Sequence, residues 1–283
     1  MILVTGATGN IGSALVAELA GHGGAEGVRA LARDPGRAAF PDGVQAVAAD
    51  LADPASLQDA LRGVRALFLI PQLGPDREVL GAARQAGVEQ VVLVSSMTAE
   101  THPHLGPARE NLAVERLVKD SGLAWTILRP TQFASNARWW AGEIREGRPV
   151  RVPYPDTGLP TIHPADIASV ARAALTEPGH RGRTYALTGP ERMSPRRQVA
   201  ALSAVLGRTV PLAGIDRAEA HRGLAALMGD ETADAVLDVT GGDVNEALLR
   251  VRDTVEQVTG RAARTFGQWA AEHAAEFRPS AAA

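Results

Sequence analysis

The sequence predicts an α/β fold: a doubly wound parallel sheet with helices on both faces and a smaller lobe from the C-terminal part. Three observations carry this. The chain begins with a strand that runs straight into a glycine-rich turn, Thr5-Gly6-Ala7-Thr8-Gly9-Asn10-Ile11-Gly12, and then into a helical pattern. Up to Pro130, apolar strand-like runs alternate with amphipathic helical stretches, which is the pattern of a parallel sheet. Beyond Pro130 the rhythm loosens, and Pro149, Pro153, Pro155 and Pro160 crowd one stretch.

Ile2 to Val4 is short and apolar, as a strand buried on both faces requires. Ile11, Leu15 and Leu19 then mark one face of the first helix. Residues 28–32 and 44–48 read as the second and third strands. Asp53-Pro54 opens a helix, with Asp53 as N-cap and Pro54 at the first helical position. Residues 66–70 form a fourth strand. The helix from Glu78 stops before Gly87. Residues 90–94 form a fifth strand ending in Ser95-Ser96. A helix from about Pro107 stops at Gly122, and residues 124–128 are the sixth strand. Later, helices follow His163-Pro164 and Ser194-Pro195, and residues 183–188 are a candidate strand returning to the main sheet. Ser280 to Ala283 reads as a frayed end. The expected division is 1–150 for the sheet domain and 151–283 mainly for the lobe, set over the C-terminal edge of the sheet, where open α/β folds bind ligands.

Composition narrows the chemistry. The 283 residues carry a formal net charge of -3, so nucleic acid is not an expected partner. Cysteine is absent, which excludes disulfides, thiolate nucleophiles and Cys-ligated zinc. No apolar run approaches the ~20 residues of a membrane span, and a strand stands where a signal peptide would. A cytoplasmic protein, monomeric or homodimeric, acting on a small molecule is the expectation.

The glycine turn delivers backbone N–H groups and a helix N-terminus to a diphosphate. Gly6 takes the tight turn, Gly9 lets phosphates approach, and Gly12 lets helix and strand pack closely. With Thr8, Asn10 and Ile11, these residues predict a dinucleotide site. Arg33 stands at the end of the second strand, where an acidic residue would bind a free ribose 2′-hydroxyl. A guanidinium there pairs with a 2′-phosphate, which favours NADP(H) and leaves NAD(H) possible. Asp34 would repel that phosphate if it faced the site. Neighbours in a strand point oppositely, so only one of the two can face it. Asp50-Leu51 after the third strand is either an adenine contact or a simple strand end.

Several segments resemble the NmrA-like branch of the atypical short-chain dehydrogenases. They are the glycine turn, Arg29 to Pro35, Val94-Ser95-Ser96, Ser121 to Pro130, Asp166-Ile167-Ala168, Leu187 to Glu191 and Val258 to Arg261. The resemblance covers nearly the whole chain. It implies a Rossmann domain with a small substrate lobe, and NAD(P)H-dependent reduction of quinones or azo dyes. Some members are instead cofactor-binding regulators without catalysis, and a non-redox isomerase or lyase on this fold is a further alternative. The Tyr-x-x-x-Lys pair of many short-chain dehydrogenases is missing, as it is in the NmrA-like branch generally. Its Tyr place holds Pro107 and its Lys place Asn111, and no tyrosine precedes Tyr154. That disfavours a simple ketone, whose alkoxide needs an acid. A conjugated acceptor delocalises its charge and is protonated by water.

Ser96, or Ser95, is placed to donate to a developing oxyanion. His104 is a candidate proton donor. His102-Pro103-His104 lacks a third ligand nearby, so no metal site is predicted and both histidines are expected to face solvent. Aromatic residues make up only 4% of the chain. Phe133, Trp139 and Trp140 nonetheless cluster after the sixth strand, where planar acceptors would stack. Gln132 and Asn136 are candidate amide donors to the same pocket.

Overall fold

The computed structural model describes residues 1–279. Its centre is a seven-stranded sheet in the order β3-β2-β1-β4-β5-β6-β9. The strands are β1 Ile2–Val4, β2 Val28–Ala32, β3 Gln45–Ala48, β4 Ala66–Leu69, β5 Gln90–Val94, β6 Ala124–Pro130 and β9 Arg183–Leu187. All pair in parallel. The candidate strand at 183–188 forms the far edge, with Thr126 opposite Arg183 and Pro130 opposite Leu187. The central strands β1, β4 and β5 are buried along their whole length, whereas most of β3 at the other edge is exposed. This explains why the central strands read as unbroken apolar runs.

Each face of the sheet is covered by helices. On one side, helix Asn10–Gly23 and helix Pro164–Thr176 pack against each other and the sheet through Leu15, Leu19, Ile167 and Ala171. Ser169 Oγ of the later helix donates to Glu18 Oε1 of the first at 2.7 Å. On the other side, Leu57, Leu80 and Val118 come from helices Leu57–Ala60, Asp76–Gln85 and Gly106–Asp120. The second half of the chain is therefore divided: residues 164–187 complete the main layers, and much of the remainder forms a separate core. That core gathers Ala134, Ala137, Ile144, Leu202, Phe266, Trp269 and Phe277.

Local chemistry sets the element starts. Asp53 accepts from Ala55 N at 3.1 Å, but the segment begins as a 3-10 turn, Pro54–Ser56, before Leu57–Ala60 becomes α-helical. His163 Nδ1 accepts from Ala165 N at 3.0 Å, and Ser194 Oγ accepts from Arg197 N at 3.3 Å, each capping a helix whose first residue is proline. The smaller strands β7 Val150–Val152, β8 Leu159–Pro160, β10 Arg192–Met193 and β11 Leu212–Gly214 form two two-stranded pieces, β7 with β11 and β8 with β10. The expected frayed end, Ser280 to Ala283, lies outside the described residues.

Candidate active site

Two cavities open at the C-terminal ends of the sheet strands and share one residue, Phe133. The first, about 480 Å³, follows β1 to β4. Gly6, Thr8, Gly9, Asn10, Ile11 and Gly12 line it after β1, Arg33 after β2, Asp50 and Leu51 after β3, and Ile70 and Leu73 after β4. It thus lies at the reversal of strand order between β1 and β4, where such sheets bind ligands.

The glycine turn is shaped by close packing. Gly6 has φ +59, which a glycine takes without strain. A Cβ on Gly12 would stand 2.1 Å from Gly6 O, so only hydrogen fits between helix and turn. The helix starts at Asn10 with no side-chain cap on Gly9 and no acidic residue in its first turn. Its first N–H groups are left for an anion in the cleft.

Arg33 faces the cleft, while Asp34 does not line it. Asp34 Oδ1 instead accepts from Gly36 N at 3.2 Å and caps the short helix Pro35–Arg37. Of the two neighbours, Arg33 is the one that lines the cleft. Asp50 Oδ1 accepts from Ala52 N at 2.9 Å, which leaves the other carboxylate oxygen open. Leu51 is buried beside it.

The second cavity, about 280 Å³, follows β5 and β6. Ser96, Met97 and Thr98 line it after β5, and Pro130 to Phe133 with Asn136 after β6. Pro107, Ala108 and Asn111 come from helix Gly106–Asp120. Thr232, Ala235, Val236, Val239 and Leu248 close it from the lobe. No Asp, Glu, His, Lys, Arg or Tyr belongs to this lining among the described residues. Ser96 Oγ accepts from Thr98 N at 3.2 Å and from Thr98 Oγ1 at 2.8 Å. With both lone pairs used, its own O–H is free to donate. Asn136 Nδ2 donates to Gln132 Oε1 at 2.8 Å, fixing the two amides against each other. Asn111 Nδ2 donates to Pro107 O at 2.9 Å, so the two places of the missing Tyr-x-x-x-Lys pair lie together in the wall.

Four expectations are corrected. Ser95 does not line the cavity; its hydroxyl donates to Glu115 Oε1 at 2.7 Å. Arg129 donates to the same carboxylate through Nε and Nη2, at 2.8 and 2.7 Å. Burial raises the Glu115 carboxyl, but the Arg129 and Ser95 hydrogen bonds and the Arg129 and Lys119 charges together hold it below its ordinary value. His104 is exposed and outside the cavity, with its carbonyl accepting from Arg109. His102, expected at the surface, is buried and bonds through Nε2 to Asp243 O at 2.7 Å, joining this loop to the lobe. Trp139 and Trp140 line neither cavity. They sit on the 3-10 helix Ala134–Trp140, where residues three apart eclipse. Trp140 continues the Ala134–Ala137 stripe into the lobe core, and Trp139 lies two turns beyond Phe133, 63% exposed. The reading of residues missed Ile70 and Leu73, although their place after a strand next to β1 is a usable signal. It also missed the lobe residues 232–248, for which nothing in the sequence pattern speaks.

A family model described as NAD(P)H-binding matches residues 6–178. A (4-alkanoyl-5-oxo-2,5-dihydrofuran-3-yl)methyl phosphate reductase from Streptomyces griseus is 41% identical, over 99% of this chain and 100% of that protein. An NAD(P)H azoreductase from Xenophilus azovorans is 36% identical, over 98% of this chain and 99% of its own length. Among solved structures, an Escherichia coli NADPH-dependent quinone oxidoreductase in complex with NADPH superposes with a TM-score of 0.80 at 28% identity, covering 96% of this chain and 99% of that one. The chain belongs to the NAD(P)H-binding family, in the atypical short-chain dehydrogenase/reductase branch that its motifs resemble.

Proposed function

We propose that this protein is an NADPH-preferring reductase that transfers hydride to a quinone-like or otherwise conjugated small molecule. The observation that carries this reading is the junction of the two cavities at Phe133. One cavity is a backbone cradle with Arg33 at its far end, and the other is a largely apolar pocket without an ionisable side chain. The cradle fits a dinucleotide: Gly12 admits no Cβ, the first helical turn carries no acidic residue, and Arg33 lines the cleft. When bound, the nicotinamide cofactor supplies the hydride.

The chain's own residues bind and orient. Arg33 holds the 2′-phosphate through a charge-assisted contact, while the open oxygen of Asp50 accepts from the adenine amino group. Phe133, at the boundary, offers a ring face to a planar acceptor. The free Ser96 O–H donates to the acceptor oxygen on which negative charge develops. With no acid in the lining, the proton comes from water, which suits an acceptor that delocalises its charge. The relatives named as an azoreductase, a quinone oxidoreductase and a reductase of a conjugated furanone that carries a methyl phosphate support a conjugated acceptor.

The test is oxidation of NADPH and NADH by the purified protein with a panel of quinones, azo compounds and conjugated lactones. Turnover that favours NADPH is expected. Tight nucleotide binding without oxidation of any acceptor would replace this reading with a sensing role, and product formed without cofactor consumption would replace it with a non-redox one.

A further inference from the structure

We propose that Arg138 is a further cofactor-binding residue, reaching from the lobe over the diphosphate end of the cleft; this rests on the nucleotide reading above. Arg138 belongs to the 3-10 helix that follows Phe133. Its Nε and Nη2 donate to the two carboxylate oxygens of Glu276 at 2.7 and 2.8 Å. Its guanidinium lies 5.6 Å from the Trp269 ring centroid. Its Nη1 donates to Asn10 Oδ1, and Asn10 is both the first residue of the first helix and part of the cleft lining. Residues from opposite ends of the chain, Asn10 and Glu276, thus meet on one side chain.

The placement is unusual electrostatically. The start of the first helix is a positive pole, with uncapped N–H groups and no acidic residue in its first turn. A bare guanidinium beside that pole is disfavoured, and here the Glu276 carboxylate compensates its charge. Glu276 answers one edge of the guanidinium and is kept ionised by it: the Arg138 hydrogen bond holds this carboxyl below its ordinary value. A guanidinium has five N–H donors. Three are engaged in these contacts, which leaves one on Nη1 and one on Nη2. A diphosphate seated at the helix N-terminus presents oxygens to such donors. Because the Arg138–Glu276 pair is neutral as a unit, the contribution is directional hydrogen bonding, and the fork geometry matters more than the charge.

Arg138 also anchors helix Phe266–Glu272 through Trp269 and the 3-10 turn Ala274–Phe277 through Glu276, so the test separates binding from stability. Calorimetric titrations of the full chain compare NADPH, ADP-ribose and adenosine 2′-monophosphate, the last lacking a diphosphate. Arg138→Lys keeps the charge and loses the fork. It is expected to weaken NADPH and ADP-ribose by about tenfold, with the monophosphate changed by less than about twofold. Asn10→Ala removes the link to the cleft and leaves the Trp269 and Glu276 contacts in place. It is expected to weaken the same two ligands by about threefold at an unchanged thermal midpoint. Unaltered diphosphate binding in Asn10→Ala and Arg138→Lys, or equal loss for all three ligands, would overturn the assignment. If Arg138→Lys does not fold, Arg138→Gln is titrated with the same three ligands and decides instead. A wild-type chain that binds neither NADPH nor ADP-ribose overturns the nucleotide reading itself, before any variant is made.

Discussion

The nucleotide cleft and the acceptor pocket are neighbours built by opposite means. The cleft is made of the first residues after β1 to β4, and much of its surface is backbone: a turn in which one helical glycine stands against the carbonyl of another. The acceptor pocket is made of side chains, and one of its walls is Thr232, Ala235, Val236, Val239 and Leu248 of the lobe, far in sequence from Ser96 and Phe133. A backbone-built site depends on where glycine is allowed, and a few positions decide it. A side-chain-built site depends on long-range packing, and many substitutions retune it. The first kind suits a fixed cofactor and the second a changeable substrate.

The largest expected effect breaks the backbone-built half. Gly12→Val puts a side chain where a Cβ alone would stand 2.1 Å from Gly6 O. Both partners are backbone, so the turn must move. Loss of NADPH and NADH binding together is expected, with a thermal midpoint lowered by at least several degrees. Retained binding of either nucleotide would show that the cradle tolerates rearrangement and is less rigid than the contrast requires.

Next comes the network behind the acceptor pocket. Glu115 is 1% exposed and holds Arg129 and the hydroxyl of Ser95, the residue before Ser96. Glu115→Leu leaves the part-buried Arg129 guanidinium with only the Glu100 carboxylate, 3.8 Å away, and should cost about 3 kcal/mol in urea unfolding at neutral pH. The pH dependence has a definite sign. Because the folded carboxyl lies below its ordinary value, its stabilisation is complete above the usual carboxylate range and is lost as pH falls through the folded value. The wild-type chain should lose stability over that acidic window, and the variant should lose less. An identical acid profile in both would remove Glu115 from the account.

What could be seen in the sequence follows the same division. Strands at 28–32, 90–94 and 183–187 and the proline-started helices were legible, because apolar runs and caps are local signals. The glycine cradle was legible for the same reason. Place at the strand end alone puts Ser96 first and Ser95 second, and it contains nothing about what either hydroxyl meets. Their partners decide between them: Glu115 takes one and Thr98 the other. Trp139 and Trp140 misled because nearness in sequence is not nearness to a cavity: Trp140 turns with Ala134 and Ala137 into the lobe core, and Trp139, on the face of Phe133 and Asn136, stands two turns further on and exposed. Val236, Val239 and Leu248 were illegible because their place in the wall depends on lobe packing over more than a hundred intervening residues.

A smaller effect sharpens the contrast, since Arg33 is a side chain working within the backbone-built cleft. Arg33→Ala should weaken NADPH by roughly 1–3 kcal/mol, the scale of a charge-assisted hydrogen bond, and leave NADH nearly unchanged. Titration with both nucleotides checks this. Equal loss for the two would mean that Arg33 serves the shared part of the molecule and that the 2′-phosphate is read elsewhere.

The smallest expected effect is a flat line. An enzyme that protonates its substrate from a side chain shows that group's titration in its rate. The acceptor pocket holds Ser96, Thr98, Asn111, Thr131, Gln132, Asn136 and Thr232 as its polar residues, and none of these side chains titrates in the neutral range. His104 is outside it, and His102 is committed to Asp243 O. With a quinone whose own ionisation lies outside the window, kcat should therefore change by less than about threefold between pH 6 and 8.5. Ser96→Ala should lower that line by about tenfold or more without bending it, because an oxyanion donor contributes at every pH. A bell-shaped profile in the wild-type chain would reveal an acid or base brought in from outside the lining. The lobe would then have to move on binding, and the acceptor pocket would be assembled by its substrate as well as by packing.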